Sequence, residues 1–418
     1  MKRKILVSLS VFLIMIMTVQ LLDNFDFVVG IIGSFVSFTI VLHIMKKYSE
    51  ISNILLIAYL LRFIMVVYLT IHGEFDSDGY QVMAESFYNM DFLKYLVSFQ
   101  TGAYLYSWII AGLWKITGES LVLIRIINCM LSFYCCVLGY KLSFYLYNNK
   151  EAAKKIAFII AIFPNLIRFS SYFSSRETIF VFTFLISIKM LYHYYDTNKS
   201  KYAFLFFVTV FVCTILHTSA ISLLVGFLLI LYKKAKTKSQ IFKVIVLSMI
   251  LTIGTIFMIR NGIGTEKLYL NNGGLDGEKL AWIQSASSEG RAAYLKGFGS
   301  NNIFITILQL PIRVLYFLYT PFIWMIRTPI DVLGFLDASL YLVFTYKLMK
   351  IRKKNDISND YSKNKTLIRC IYISLIIMIS MFSIGTSNYG TAIRHRAKMI
   401  IPILLLATPA LRKKEIRI

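Results

Sequence analysis

The chain has 418 residues, 57% of them hydrophobic and 15% aromatic, with a mean hydropathy of +0.67. Those figures exclude a water-soluble globule and imply a polytopic membrane protein. A formal charge of +24 would suit nucleic acid, but the lysines and arginines fall mostly in short segments between apolar runs, so the partner they imply is the lipid bilayer and not a nucleic acid.

MKRK followed by ILVSLSVFLIMIMTVQLL has the layout of an uncleaved signal anchor with its N-terminus inside. Apolar runs near residues 4–22, 27–45 and 52–72 predict three crossings, which bring the chain outside at residue 73. The stretch 73–119 is aromatic and only partly apolar, which predicts interfacial helices within a large external loop. A span over 120–147 returns to the basic NNKEAAKK, 153–171 leads out to PNLIRFSSYFSSRE, and 176–195 returns to DTNKSK. The apolar residues between DTNKSK and KKAKTKSQ are interrupted by HTS. Basic flanks on both sides require an even number of crossings, hence two short helices meeting near His217.

A span over 241–259 opens a second external loop, 260–303, rich in Gly and Asn. Pro311, Pro321 and Pro329 interrupt ILQLPIRVLYFLYTPFIWMIRTPID; this predicts a broken, re-entrant or interfacial element. Spans over 331–349, 366–385 and 398–411 finish the chain, with a cytoplasmic loop at 350–365 and an external one at 386–397. The predicted fold class is all-α: one integral membrane domain over residues 1–418 with about twelve crossings. Cys129, Cys135, Cys136, Cys213 and Cys370 all sit in apolar runs without C-x-x-C spacing and read as packing residues.

This topology collects GEFDSDGY, the SSRE turn, the 260–303 loop and NYGTAIRHRAK on the external side, where both charge signs meet. Asp76 and Asp78 are candidate catalytic carboxylates in a compact turn, against the alternative that they cap the following helix. Glu85 lies two helical turns beyond Asp78 on about the same face, where a plain surface charge would look identical. Arg168 and the neighbouring Arg176 and Glu177 stand at the edge of apolar spans and suit either phosphate or sugar binding or membrane anchoring. His217 sits at a polar break, where a structural role competes with a catalytic one. Arg394, His395, Arg396 and Lys398 oppose the positive-inside trend and are assigned to diphosphate binding. Arg291 and Arg313 are further candidates, Arg313 because a cation in an apolar segment needs an anionic partner. No ATP-binding loop is visible.

An acidic D-x-D-like pair just after an early span and ahead of interfacial helices resembles the C-type (GT-C) membrane glycosyltransferases. With the PNLIRFSSYFSSRE turn, the Pro-broken PIRVLYFLYTPFIW and the late RHRAKMIIPILLL, the chain looks like the O-antigen and capsule repeat-unit polymerases (Wzy-like). The resemblance implies a glycosyltransferase of the bacterial cytoplasmic (inner) membrane, acting at the external face on a glycan carried by polyprenyl (undecaprenyl) phosphate or diphosphate. It also implies a chain-length regulator protein as partner. A carboxylate would take the proton from the acceptor hydroxyl and cations would neutralise the departing phosphate. Mg²⁺ or Mn²⁺ bound by Asp76 and Asp78 is a chemistry the same oxygens would suit. Two other readings remain open: a transferase adding one sugar from a polyprenyl phosphate donor, and a lipid-glycan flippase or transporter.

Overall fold

The computed structural model describes residues 25–73, 78–261, 277–353 and 364–411. The predicted span 4–22, Asp76, most of the loop 350–365 and the basic tail RKKEIRI lie outside the described residues. No strand occurs among the described residues, and seven helices are long and apolar enough to cross a membrane. They cover Asp26–Lys47, Ser49–His72, Leu121–Tyr147, Arg176–Thr197, Lys238–Met258, Pro329–Ile351 and Lys365–Ile384, each meeting the length of about 20 residues that the hydrocarbon core requires. All five cysteines are buried and none is in a disulfide, as their apolar settings predict.

The chain forms two compact units. The first, residues 1–137 and 157–182, holds α1 (Phe25–Lys47), α2 (Ser52–His72), α3 (Asp78–Tyr88), α4 (Phe92–Val97) and α5 (Ala103–Thr117). It also holds the first part of α6 (Leu121–Tyr147), the end of α7 (Lys150–Ile162), α8 (Pro164–Ser170) and the start of α9 (Arg176–Thr197). The second unit, residues 138–156 and 183–418, takes the remainder of α6, α7 and α9. It continues with α10 (Ser200–Leu216), α11 (Ser222–Lys234), α12 (Lys238–Arg260), α13 (Gly277–Ser287), α14 (Ile303–Tyr319), α15 (Pro329–Lys353), α16 (Lys365–Ile384), α17 (Tyr389–Arg396) and α18 (Ile400–Ala407).

In the first unit the stretch read as an interfacial loop, 73–119, contains three helices. Ala84 of α3 and Tyr106, Ile110 and Trp114 of α5 share a buried cluster with Ile124 and Phe173. Tyr95 stacks on Trp108 at 4.7 Å and the two exchange hydrogen bonds with each other's backbone carbonyls at 3.0 and 2.9 Å. Gly112 permits this, because a Cβ there would lie 2.2 Å from the Tyr95 hydroxyl. Lys115 donates to the carbonyls of Tyr88 and Met90, at the C-terminal end of α3.

In the second unit α11 and α16 pack closely, and a Cβ at Gly226 would meet Ser374 Oγ at 2.7 Å and the Cys370 carbonyl at 3.2 Å. Small residues bring membrane helices together in this way, where apolar burial alone gives no preference for protein over lipid. α14 also packs on α16, and α15 on α18. The predicted pair of short helices is present as α10 and α11, meeting at His217, whose backbone is extended (φ −163°) and whose Nδ1 accepts the Ser219 N–H at 3.3 Å. α12 packs on α11, and no residue of its apolar span is buried.

Four expectations change. The single element 153–171 is two helices, because Pro164 has no N–H to continue α7 and instead starts α8. Pro311 does not break its helix: α14 runs through it, and the carbonyl it leaves bare belongs to Ile307, on the exposed side. The interruption falls at Pro321 and is a short extended and 3-10 segment before α15. The 260–303 loop contains α13 from Gly277, with 262–276 outside the described residues. The last predicted span, 398–411, is an eight-residue helix followed by a 3-10 turn.

The break at Pro164 is held by Arg62, which is 0% exposed. Its Nη1 donates to the carbonyls of Ala58 and Ala161, Nη2 to that of Ile160, all at 2.9 Å, and Nε to Ser132 Oγ at 2.7 Å. The Ile160 carbonyl is the one Pro164 cannot serve, so the guanidinium replaces a missing helix bond. Ser171 closes the arrangement by donating to the Arg62 carbonyl at 3.0 Å. Arg62→Met would leave the Ile160 and Ala161 carbonyls bare at about 1–3 kcal/mol each. The variant is expected to melt well below wild type in a detergent micelle, followed by tryptophan fluorescence, with Arg62→Lys recovering part of the loss. Equal melting of Arg62→Met and wild type would show that the carbonyls find other donors.

Candidate functional site

The sequence-predicted residues divide between the two units. In the first, Asp76 lies outside the described residues and Asp78 is the first residue of α3. Glu85, on the same helix, is half-buried and accepts Gln81 Nε2 at 2.9 Å. Arg168 of α8 donates from Nε to the Tyr172 hydroxyl at 2.9 Å and lies over the Phe169 and Tyr172 rings. The turn that follows is an interior structure, with Ser170, Ser171, Ser174 and Ser175 all buried. Tyr106 donates to the Phe173 carbonyl at 2.8 Å, and Asn128 Nδ2 donates to the Tyr106 hydroxyl and the Tyr172 carbonyl at 2.8 Å. Arg176 is half-buried and Glu177 is 2% exposed at the start of α9. Among the described residues no set of three His, Cys, Asp or Glu side chains could hold a metal ion.

The second unit brings its candidates together around α17. This helix starts where Asn388 Oδ1 accepts the Gly390 and Thr391 N–H groups. The backbone just before it pairs with the segment after α13: Tyr294 N–H bonds the Ser387 carbonyl at 2.8 Å and Tyr389 N–H the Ala292 carbonyl at 2.9 Å. That pairing sets Arg291 beside Tyr389. Arg291 Nη1 bonds Asp331 Oδ2 and also donates to the Tyr389 hydroxyl at 3.1 Å, while the Tyr389 hydroxyl donates to Asp331 Oδ1 at 3.0 Å. Asp331 is 2% exposed and its Oδ2 also accepts the N–H groups of Arg327 (3.1 Å) and Thr328 (2.9 Å).

The Asp331 hydrogen bond holds the Arg291 guanidinium more firmly protonated than usual. Burial, and then the bond to Asp331, push the Tyr389 phenol upward. The result is a neutral phenol and a buried carboxylate fixing a cation whose side chain remains 45% exposed. Arg327, also exposed, donates its backbone N–H to the same Asp331 oxygen that Arg291 bonds.

Arg396 is 0% exposed and takes the role Arg62 has in the other unit. Its Nη1 donates to the carbonyls of Leu318 (2.7 Å) and Thr320 (2.8 Å), at the end of α14 ahead of Pro321. Its Nη2 lies 3.2 Å from Asp337, its carbonyl accepts the Tyr341 hydroxyl at 2.5 Å, and its guanidinium lies over the Tyr341 ring. Lys398, 1% exposed, is 3.0 Å from His395 Nδ1 and lies over Phe382. The His395 ring packs at 4.7 Å from Phe382 and 5.8 Å from His217. Arg394 is half-buried on α17. Arg313 is fully buried, and the anionic partner expected for it is replaced by neutral oxygens: Gln309 and Gln284 side chains and the Phe298 carbonyl.

The cations named here outnumber the carboxylates Asp331 and Asp337, so the second unit can hold an oxyanion. Arg291 and Arg327 are the accessible ones, and Arg396 and Lys398 are turned inward. Sequence reading passed over Asp331, Arg327, Tyr389 and Asp337. RTPID carries the signal of a helix start, with Pro329 at the first position, and Asp337 in an apolar run called for a buried cation.

No protein-family model matches the chain, and no curated protein or solved structure is significantly similar to it. The Arg396–Asp337 pair is open to a direct check. Asp337→Leu leaves a buried guanidinium without its carboxylate, a loss of about 3–5 kcal/mol. Its melting temperature in detergent is expected to fall sharply, while Asp337→Glu keeps most of the stability. A wild-type melt for Asp337→Leu would mean the carbonyl oxygens suffice to hold the charge.

Proposed function

We propose that the protein is a membrane glycosyltransferase that polymerises lipid-linked oligosaccharide repeat units of a surface polysaccharide. It moves a growing glycan from its polyprenyl diphosphate carrier onto the next lipid-linked unit, at the external face of a bacterial cytoplasmic membrane. The observation that carries this reading is Arg291: a cation half open to solvent, fixed by the buried Asp331 and Tyr389, on a helical membrane protein. Such a group suits a lipid-borne phosphate, and the exposed Arg327, whose backbone N–H bonds the same Asp331 oxygen, would suit the second negative charge of a diphosphate.

In the reaction an acceptor hydroxyl attacks the anomeric carbon, forming the new glycosidic bond as the bond from that carbon to the carrier phosphate breaks. The hydroxyl proton passes to a carboxylate, and the lipid diphosphate leaves as an anion neutralised by arginine. The twelve-crossing arrangement, with re-entrant and interfacial helices and an external active face, belongs to this proposal. It rests on the charge alternation of the loops, with the predicted span 4–22, outside the described residues, and the short α7, α10, α11 and α18 added to the seven long spans. A transporter reading is less well supported, because Arg62, Arg313 and Arg396 are fully buried on carbonyl and amide oxygens and do not face a water-filled route.

The test is the surface-glycan ladder of a strain lacking the protein, complemented with wild type or variants. Anchors bearing one repeat unit and no longer chains support the polymerase. Long chains missing one sugar would point to the single-sugar transferase, and an unchanged ladder would overturn both. Arg291→Ala and Asp78→Asn are expected to cut chain extension on the order of 10²-fold at normal membrane levels, whereas Lys201→Gln, at an exposed helix start, leaves the ladder intact.

A further inference from the structure

A second polar feature lies in the second unit, away from Arg291 and Asp331. The C-terminal ends of α9 and α11 and the start of α16 enclose a cleft of about 320 Å³, lined by Tyr195, Asp196, Ile230, Lys233, Lys234 and Thr366. Because α9 and α16 are both long enough to span the membrane and end here, the cleft sits at a membrane surface. Tyr232, 56% exposed on α11, adds the kind of aromatic side chain found at that level.

The side chains are arranged for an anion. Lys234 Nζ is fixed: it donates to the Tyr195 carbonyl at 3.1 Å and to Asn198 Oδ1 at 3.2 Å, and lies over the Tyr194 and Tyr195 rings. Lys233 is exposed beside it. Two lysines face one carboxylate, Asp196, among the lining residues. Thr366 stands in the first turn of α16, whose N-cap residue Asn364 makes no capping hydrogen bond. Its Nδ2 donates to the Tyr145 and Leu146 carbonyls at 2.9 and 3.1 Å, which fixes the amide facing the end of α6. Among the described residues Asn364 thus leaves the opening N–H groups of α16 uncapped, and the positive end of the helix adds to the two lysines.

We propose that this cleft binds a phosphate-bearing anion and that its occupant is the headgroup of an acidic phospholipid, with Lys233, Lys234 and Thr366 as its contacts. The site is independent of the glycan chemistry. It would make the protein's stability depend on the acidic lipid content of its membrane.

The experiment is thermal unfolding of the purified full-length protein in a neutral detergent, with added phosphatidylglycerol, phosphatidylcholine or inorganic phosphate. Phosphatidylglycerol is expected to raise the melting temperature of wild type by about 3 °C or more, and neither of the other two to do so. Lys233→Gln and Thr366→Val should melt like wild type without lipid and lose at least half of the response. Native mass spectrometry of wild type should show phosphatidylglycerol retained in preference to phosphatidylcholine, a readout that stands even where a variant folds poorly. An equal response to phosphatidylcholine, or an unaltered response in both variants, overturns the site. An equal response to inorganic phosphate overturns the lipid as its occupant.

Discussion

A helix that ends inside apolar surroundings leaves carbonyl oxygens that water cannot reach, and this chain answers that constraint with cations. Each C-terminus leaves its last carbonyls unbonded and carries the negative end of the helix dipole, so a buried guanidinium or ammonium serves both needs. Arg62 does this for α7 and Arg396 for α14, in each case just ahead of a proline. At less buried positions Lys115 serves the end of α3 and Lys234 the end of α9, and the exposed Lys155 bonds the carbonyl of Leu411. Asn364 does the same for α6 with an uncharged amide. Part of the +24 charge is thus internal mortar, in addition to the basic loops that orient a membrane protein.

The chemistry of each unit depends on these capped breaks. Interrupting the chain at Pro164 allows the serine-rich turn to enter the interior, where Tyr106 and Asn128 hold its carbonyls. Interrupting it at Pro321 produces the segment that carries Arg327 and delivers Asp331 at the start of α15. A continuous helix through Pro321 would leave no free backbone N–H groups at Arg327 and Thr328 to donate to Asp331 and no turn to expose Arg327. The two buried arginines thus hold the backbone breaks from which these side chains are presented.

Legibility in the sequence follows from how local each cause is. Long apolar runs give the spans directly, and basic flanks give the paired short helices at His217, because both depend on composition along one stretch. The three prolines at 164, 311 and 321 carry the same local signal, yet α14 runs through Pro311. What separates them is tertiary: an arginine from a distant helix stands at the other two breaks and none of the described bonds places one at Ile307. The same limit applies to RHRAK, where four cations in five positions look like one external cluster. Helical geometry divides them, leaving Arg394 and His395 partly accessible and burying Arg396 and Lys398. Asp331 and Tyr389 could not be paired from sequence, since 58 residues separate them and their meeting depends on the backbone pairing at Ser387 and Tyr294.

The isolation of α12 sets it apart mechanically from the rest of the second unit. With no buried residue along its apolar span and α11 as its main support among the described residues, little of the described protein fixes its inclination. Its 21-residue span rises about 32 Å, close to the thickness of ordinary bilayer hydrocarbon. A thicker or thinner membrane would thus be accommodated first by the lean of this one helix, while the tightly interlocked α11 and α16 keep their crossing. Bilayer composition becomes a mechanical input to the chain, entering through its most weakly anchored strut.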